Sequence, residues 1–134
     1  MRYWLALGSN DQPQPALDFA CASLERLGAV HVSSRYEFPP RSGIGVDYIN
    51  MAVQLDSAMG IDRLRQHIFE LETTAGRIRR SNTVRLDIDL IAWQEEGQAV
   101  VFDPNRFPLP QDVVLPMQEI WQECTISLQQ FART

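Results

Sequence analysis

The residues best suited to chemistry lie between Gly76 and Asp89, where the chain reads G-R-I-R-R-S-N-T-V-R-L-D-I-D. Four of the twelve basic residues, Arg77, Arg79, Arg80 and Arg85, fall in this stretch and run directly into Asp87 and Asp89. Guanidinium forks suit phosphate oxygens, and paired carboxylates suit the Mg²⁺ that nucleotide phosphates carry, so the juxtaposition points to a polyphosphate site. Each half alone has an ordinary explanation. An arginine cluster is usually a solvated loop, an Asp-x-Asp is usually an exposed strand edge, and neighbouring arginines can simply neutralise the two carboxylates. Only the combination within one short segment points to phosphate.

Every basic residue is arginine, and the chain has no lysine. A P-loop lysine, a Schiff base and a lysine general base are therefore excluded, and Gly8-Ser9-Asn10 does not open a G-x-x-x-x-G-K-[ST] loop. Any phosphate chemistry must rest on arginine and metal.

These groups need elements to position them. Leu86, Ile88 and Leu90 alternate with Asp87 and Asp89, which predicts a strand with both carboxylates on one face and the apolar residues on the other. Asp47 to Asp56 has the same period. It places Ile49, Met51, Val53 and Leu55 on one face, and Tyr48, Asn50 and Ala52 on the opposite one. Tyr3 to Leu7 reads as a first strand, followed by a turn at Gly8-Ser9-Asn10, and Val30 to Phe38 as a single second strand ended by Pro39-Pro40. A helix is expected from Pro13 to Leu27, with Leu17, Ala20, Cys21, Leu24 and Leu27 as its stripe and Gly28 as its stop. A second opens at Gly60 and Asp62, buries Leu64, Ile68, Leu71 and Ala75, and stops at Gly76.

The order βαββαβ predicts an α+β, ferredoxin-like fold, a mostly antiparallel sheet with its crossover helices on one face. Beyond Trp93 the reading gives a polar turn at Gln94 to Gln98, a short strand at Ala99 to Phe102, a proline-punctuated segment, and a terminal helix near Ser127 to Arg133. Length and composition bound the rest: 134 residues, 45% hydrophobic and 22% charged, suit one domain over residues 1–134. A net charge of −5 argues against a nucleic-acid or anionic-membrane surface, so an anion site must be local. The lack of paired exposed aromatics on the central strands also argues against an RNA-binding domain. The apolar run at Met1 to Leu7 is too short for a signal peptide or membrane span, so a cytoplasmic location is expected, as a monomer or weak dimer. Cys21 and Cys124 lack metal-ligand spacing and read as reduced packing residues.

Several segments, in order along the chain, resemble the 6-hydroxymethyl-7,8-dihydropterin pyrophosphokinases: L-A-L-G-S-N, the two prolines after Phe38, D-Y-I-N-M-A-V, E-T-T-A-G-R-I-R-R, L-D-I-D-L and L-P-M-Q-E-I. The resemblance implies the ferredoxin-like fold and transfer of pyrophosphate from MgATP to the hydroxymethyl group of a reduced pterin, within folate synthesis. It implies that Asp87 and Asp89 bind two Mg²⁺ ions. Arg77 and Arg79 are the implied catalytic arginines, with Arg85, at the family threonine, as a substitute for the arginine that Val84 displaces; Glu72 and Arg80 are the implied nucleotide contacts, with Arg106 standing in for an arginine the segment lacks. Tyr48 and Asn50 match the pterin-site Tyr-x-Asn, with Pro40 and Arg41 in the loop that reads the pterin edge. A flat heterocycle can stack on a tyrosine ring, and a carboxamide can meet its donors and acceptors.

The chain also departs from that pattern. The loop before Asp87 is shorter than in the family, and Val84 stands where the family has an arginine. The segment Phe102 to Asp112 carries no histidine, and His31 and His67 lie in a strand and a helix elsewhere. Phe107 is the stand-in for a missing aromatic near Asp112. A catalytically weakened paralogue that still binds pterin or nucleotide is the alternative reading.

Overall fold

Alternation in the sequence builds an antiparallel sheet whose two faces are closed by different means. The computed structural model describes residues 1–78 and 81–121. In chain order the elements are β1 (Arg2–Ser9), α1 (Pro13–Glu25), β2 (Ala29–Val32), β3 (Tyr36–Phe38), β4 (Tyr48–Asp56), α2 (Ile61–Thr74), β5 (Asp87–Gln94), β6 (Val101–Phe102) and α3 (Gln111–Ile120). The sheet order is β2-β4-β1-β5-β6, with β3 also pairing β4, and each pairing is antiparallel. With β2 and β3 taken as one interrupted strand, this is the expected ferredoxin-like α+β arrangement.

On the first face Tyr3, Leu5 and Leu7 of β1, Met51, Val53 and Leu55 of β4, and Ile88 and Leu90 of β5 pack under Leu17, Ala20 and Leu24 of α1 and Leu64 and Ile68 of α2. Each such leucine contributes about 1.5–3 kcal/mol by leaving water. Cys21 is half-buried against this core, its Sγ 3.8 Å from Met51 Sδ. The α2 stripe ends where Gly76 takes φ +96°, a conformation strained for any residue with a Cβ.

The second face departs from the expectation of helices on one side only. It is covered by α3, a ten-residue helix in the stretch that reads from sequence only as a proline-punctuated segment. Val113, Val114 and Met117 lie over Trp4, Ala6, Ala52, Ile91 and Ala92. Trp121, at the end of α3, stacks on Trp4 with ring centres 3.9 Å apart and 9° between planes. The terminal helix expected near Ser127 to Arg133 lies outside the described residues.

The single strand expected over Val30 to Phe38 is broken at Ser33. Val32 pairs with Val53 and Tyr36 with Asn50, so four steps on one strand match three on the other and one residue is extra. Ser33 fills the irregularity. Its N–H donates to the Ala52 carbonyl at 2.9 Å, and its hydroxyl accepts from the Ala52 N–H at 2.8 Å.

Candidate functional site

Three residues of β1 decide where the second face is filled and where it is hollow. Trp4, Ala6 and Gly8 point the same way, and the side chain shrinks to nothing along the strand. Opposite Gly8 stand Asn50 on β4 and Asp87 on β5, while Ala6 is flanked by Ala52 and Asp89. The resulting hollow holds about 250 Å³, with Gly8 and Ala6 as its floor and Pro40, Arg41, Tyr48, Asn50, Asp87, Asp89 and Asp112 among its walls.

A second, more open hollow of about 550 Å³ lies around the edge of β5. It is bordered by Arg41, Arg65, Phe69, Glu72, Arg77, Arg106 and the same two aspartates. Among the described residues β6 pairs only with Ala92 and Trp93, which leaves the first half of β5 as an open edge. The two hollows meet at Asp87 and Asp89.

Around the carboxylates the charges are crowded. Arg77 Nη1 donates to Asp87 Oδ1 at 2.7 Å and to Glu72 Oε2 at 2.8 Å. Glu72 is buried on α2 and also accepts the Ile88 N–H at 2.9 Å, so it caps the open edge while holding Arg77. Arg106 Nη1 lies 3.1 Å from Asp89 Oδ1, steadied by Asp103. Asp89 is pushed up to about 7, first by burial and then by the charge of Asp87, with Arg106 pulling the other way. Burial is also the main cause that raises the Tyr48 phenol above its ordinary range.

Among the described residues no three His, Cys, Asp or Glu side chains form a metal cage. The chemistry of the donor set nevertheless suits Mg²⁺, which takes one or two carboxylates and completes its shell with water and substrate phosphate. Two aspartates on one face, one of them costly to ionise alone, fit a cation that arrives with its phosphates.

Asn50 is oriented by a helix irregularity. Pro116 lies inside α3 and has no N–H, so the carbonyl four residues back, on Asp112, lacks its helical donor. Asn50 Nδ2 donates to that carbonyl at 3.4 Å. Its Oδ1 is buried beside the hollow with no partner among the described residues, a free acceptor for a ligand N–H.

The structure thus brings together Pro40, Arg41, Tyr48, Asn50, Glu72, Arg77, Arg106, Asp87 and Asp89 around the two hollows. Arg79 and Arg80 lie outside the described residues. Arg85 is turned away from both hollows, its Nε and Nη2 held by Asp11 Oδ2 at 2.9 and 2.8 Å. There it borders a separate surface hollow with Gln12, Phe19 and Ala75. Phe107 does not stand in for the missing aromatic either. It packs edge-on against Phe102, ring centres 5.4 Å apart, at the margin of the second-face core.

Two polar residues beyond the expected set shape the site. Asn10 clamps the short loop before β5: its Nδ2 donates to Asn82 O at 2.7 Å and its Oδ1 accepts the Val84 N–H at 2.6 Å. Asp112, in the first turn of α3, holds Arg41 in a two-pronged pair. The sequence signal for Asp112 is an acidic residue two positions after Pro110, which is informative only once a helix is known to start there.

A ferredoxin-like sheet whose open edge carries paired aspartates among arginines, beside a hollow with a tyrosine and a free amide oxygen, defines a small α+β protein suited to a polyphosphate and a planar acceptor. The chain matches the family model of 7,8-dihydro-6-hydroxymethylpterin-pyrophosphokinase (HPPK) over residues 4–129. It belongs to that family, whose reaction is pyrophosphate transfer from ATP to hydroxymethyldihydropterin in folate synthesis. Among the described residues no helix is long and apolar enough to cross a membrane.

Proposed function

We propose that this chain itself carries out that transfer, using MgATP and a 6-hydroxymethyl-7,8-dihydropterin and releasing AMP. The pterin lies in the hollow over Gly8, stacked on Tyr48, with Asn50 Oδ1 accepting from its ring N–H groups and Pro40 and Arg41 at its rim. The nucleotide phosphates lie along the β5 edge, where Arg77 and Arg106 donate to their oxygens and Glu72 keeps Arg77 in place. Asp87 and Asp89 would hold Mg²⁺ between the two hollows. When bound, the metal neutralises charge on the transferred group. The acceptor hydroxyl oxygen forms a bond to the β-phosphorus, the bond from that phosphorus to the α-phosphate bridging oxygen breaks, AMP leaves with that oxygen, and the hydroxyl proton passes to water.

The observation that carries this reading is that both hollows share the two aspartates. Positioning the two reactants across such a boundary is the main service a protein offers to phosphoryl transfer. The test is to incubate the protein with MgATP and the reduced hydroxymethylpterin and follow AMP. We expect AMP from the parent chain and a loss of at least about 10³-fold in Asp87→Ala or Asp89→Ala. The weakened-paralogue reading draws on each aspartate already being paired with an arginine and on the lack of histidine between Phe102 and Asp112. Pterin binding with no AMP at any protein concentration decides for it.

A further inference from the structure

Of the site arginines described, Arg77 and Arg106 border only the nucleotide-side hollow, whereas Arg41 borders both. Arg41 sits on the turn after β3, where the Gly43 N–H donates to the Pro40 carbonyl at 3.0 Å. Its Nη2 and Nε reach Asp112 Oδ1 and Oδ2 at 2.7 and 2.8 Å. The two ends of this pair differ. The Asp112 side chain is 11% exposed and fixed in the first turn of α3, where the helix dipole favours its charge, while the Arg41 side chain is 61% exposed on a loop. With its guanidinium end open to water, the pair is partly screened. A phosphate group with two or more charges is a stronger partner for the same planar fork. Asp89 and Asp87 also act on Arg41, adding to the rise in its pKa that the Asp112 hydrogen bond leads, and Arg41 borders both hollows with them.

We propose that Arg41 is a phosphate-contacting residue of the transfer, which holds Asp112 while the site lacks nucleotide and exchanges it for the diphosphoryl group passing between the two hollows. It donates hydrogen bonds throughout and gives up no proton. The assignment rests on the transfer reading above and moves Arg41 from the pterin edge to the transferred group. It also supplies a cationic contact on the acceptor side, where the described part of the chain offers no other arginine.

The test separates nucleotide from pterin. Calorimetry with Mg²⁺ and α,β-methylene-ATP, and separately with the hydroxymethylpterin alone, is run on the parent chain, Arg41→Met and Asp112→Asn, together with AMP kinetics. Arg41→Met is expected to lower kcat by ~10²-fold and weaken the nucleotide analogue about tenfold, while pterin affinity without nucleotide stays within about twofold. Asp112→Asn, which removes the competitor for the guanidinium, is expected to bind the analogue more tightly than the parent. An Arg41→Met effect confined to pterin affinity, an unchanged analogue affinity, or equal or weaker analogue binding by Asp112→Asn overturns the assignment. If the parent chain makes no AMP, the transfer reading fails, and the calorimetry still decides whether Arg41 contacts phosphate.

Discussion

The two halves of the second sheet face are made from the same three strands and end in opposite states. Around Trp4 the face is filled: Trp4 and Trp121 are buried to within a few per cent, and Phe102 stacks on Trp121 at 5.7 Å. Around Gly8, two residue pairs along β1, it is a hollow walled by a tyrosine, an amide and carboxylates. The difference lies in side-chain size at alternate positions of a single strand. One half therefore contributes stability, and the other exposes polar groups to a ligand at the cost of packing.

Substitutions at the two ends of this series should separate stability from binding. The largest effect is expected from Trp4→Ala, which empties the filled half and should cost about 3–5 kcal/mol, read as a lowered urea midpoint. A loss below about 1 kcal/mol would mean that the aromatic stack contributes little to the fold.

Asp89→Asn sharpens the same contrast through pH. In the folded chain the Asp89 carboxyl is raised to about 7, whereas in the unfolded chain it titrates near the ordinary carboxylate value of about 4. The stability it confers is therefore complete below about pH 4 and is lost as pH rises through 7. Without metal, Asp89→Asn should melt several degrees above the parent at pH 8, with the gap closing near pH 4. Thermal melts at both values check this, and a gap equal at the two would contradict it.

Smaller effects are expected in the hollow half. A Cβ at Gly8 meets the Asn50 side chain at 3.6 Å, an ordinary contact, so Gly8→Ala should keep its melting temperature within about 2 °C and weaken pterin binding severalfold by narrowing the floor. The smallest is Pro116→Ala. It gives the Asp112 carbonyl a helical donor, frees the Asn50 amide, and should weaken pterin binding about two- to fivefold in titrations with no loss of helix by circular dichroism.

Much of this arrangement is legible in the chain itself. Period two puts Tyr48 with Asn50, and Asp87 with Asp89, on shared faces, and the structure finds each pair lining one hollow. The α1 stripe as far as Leu24 and the Gly76 stop follow from local chemistry in the same way, although α1 ends at Glu25 and does not run on to Leu27 and Gly28. What is not legible depends on partners distant in sequence. The break at Ser33 is set by Ala52 across the ladder, and Arg85 is claimed by Asp11 once Asn10 has fixed the loop. Helix α3 is hidden by Pro116, whose cost within a helix is offset by the apolar surface that α3 covers. The Arg41–Asp112 pair spans 71 positions, and no periodicity reports it.

Among the described residues no strand covers the outer side of the first half of β5, and such an edge is a hazard that every sheet protein must manage. A row of open ladder positions invites another chain to dock as an extra strand and begin a fibre. Here Glu72 takes the Ile88 N–H, and Asp87 and Asp89 with their guanidinium partners lie along the same border, so an incoming strand would have to strip several charges of water. The groups proposed to handle phosphate thus also act as gatekeepers against aggregation.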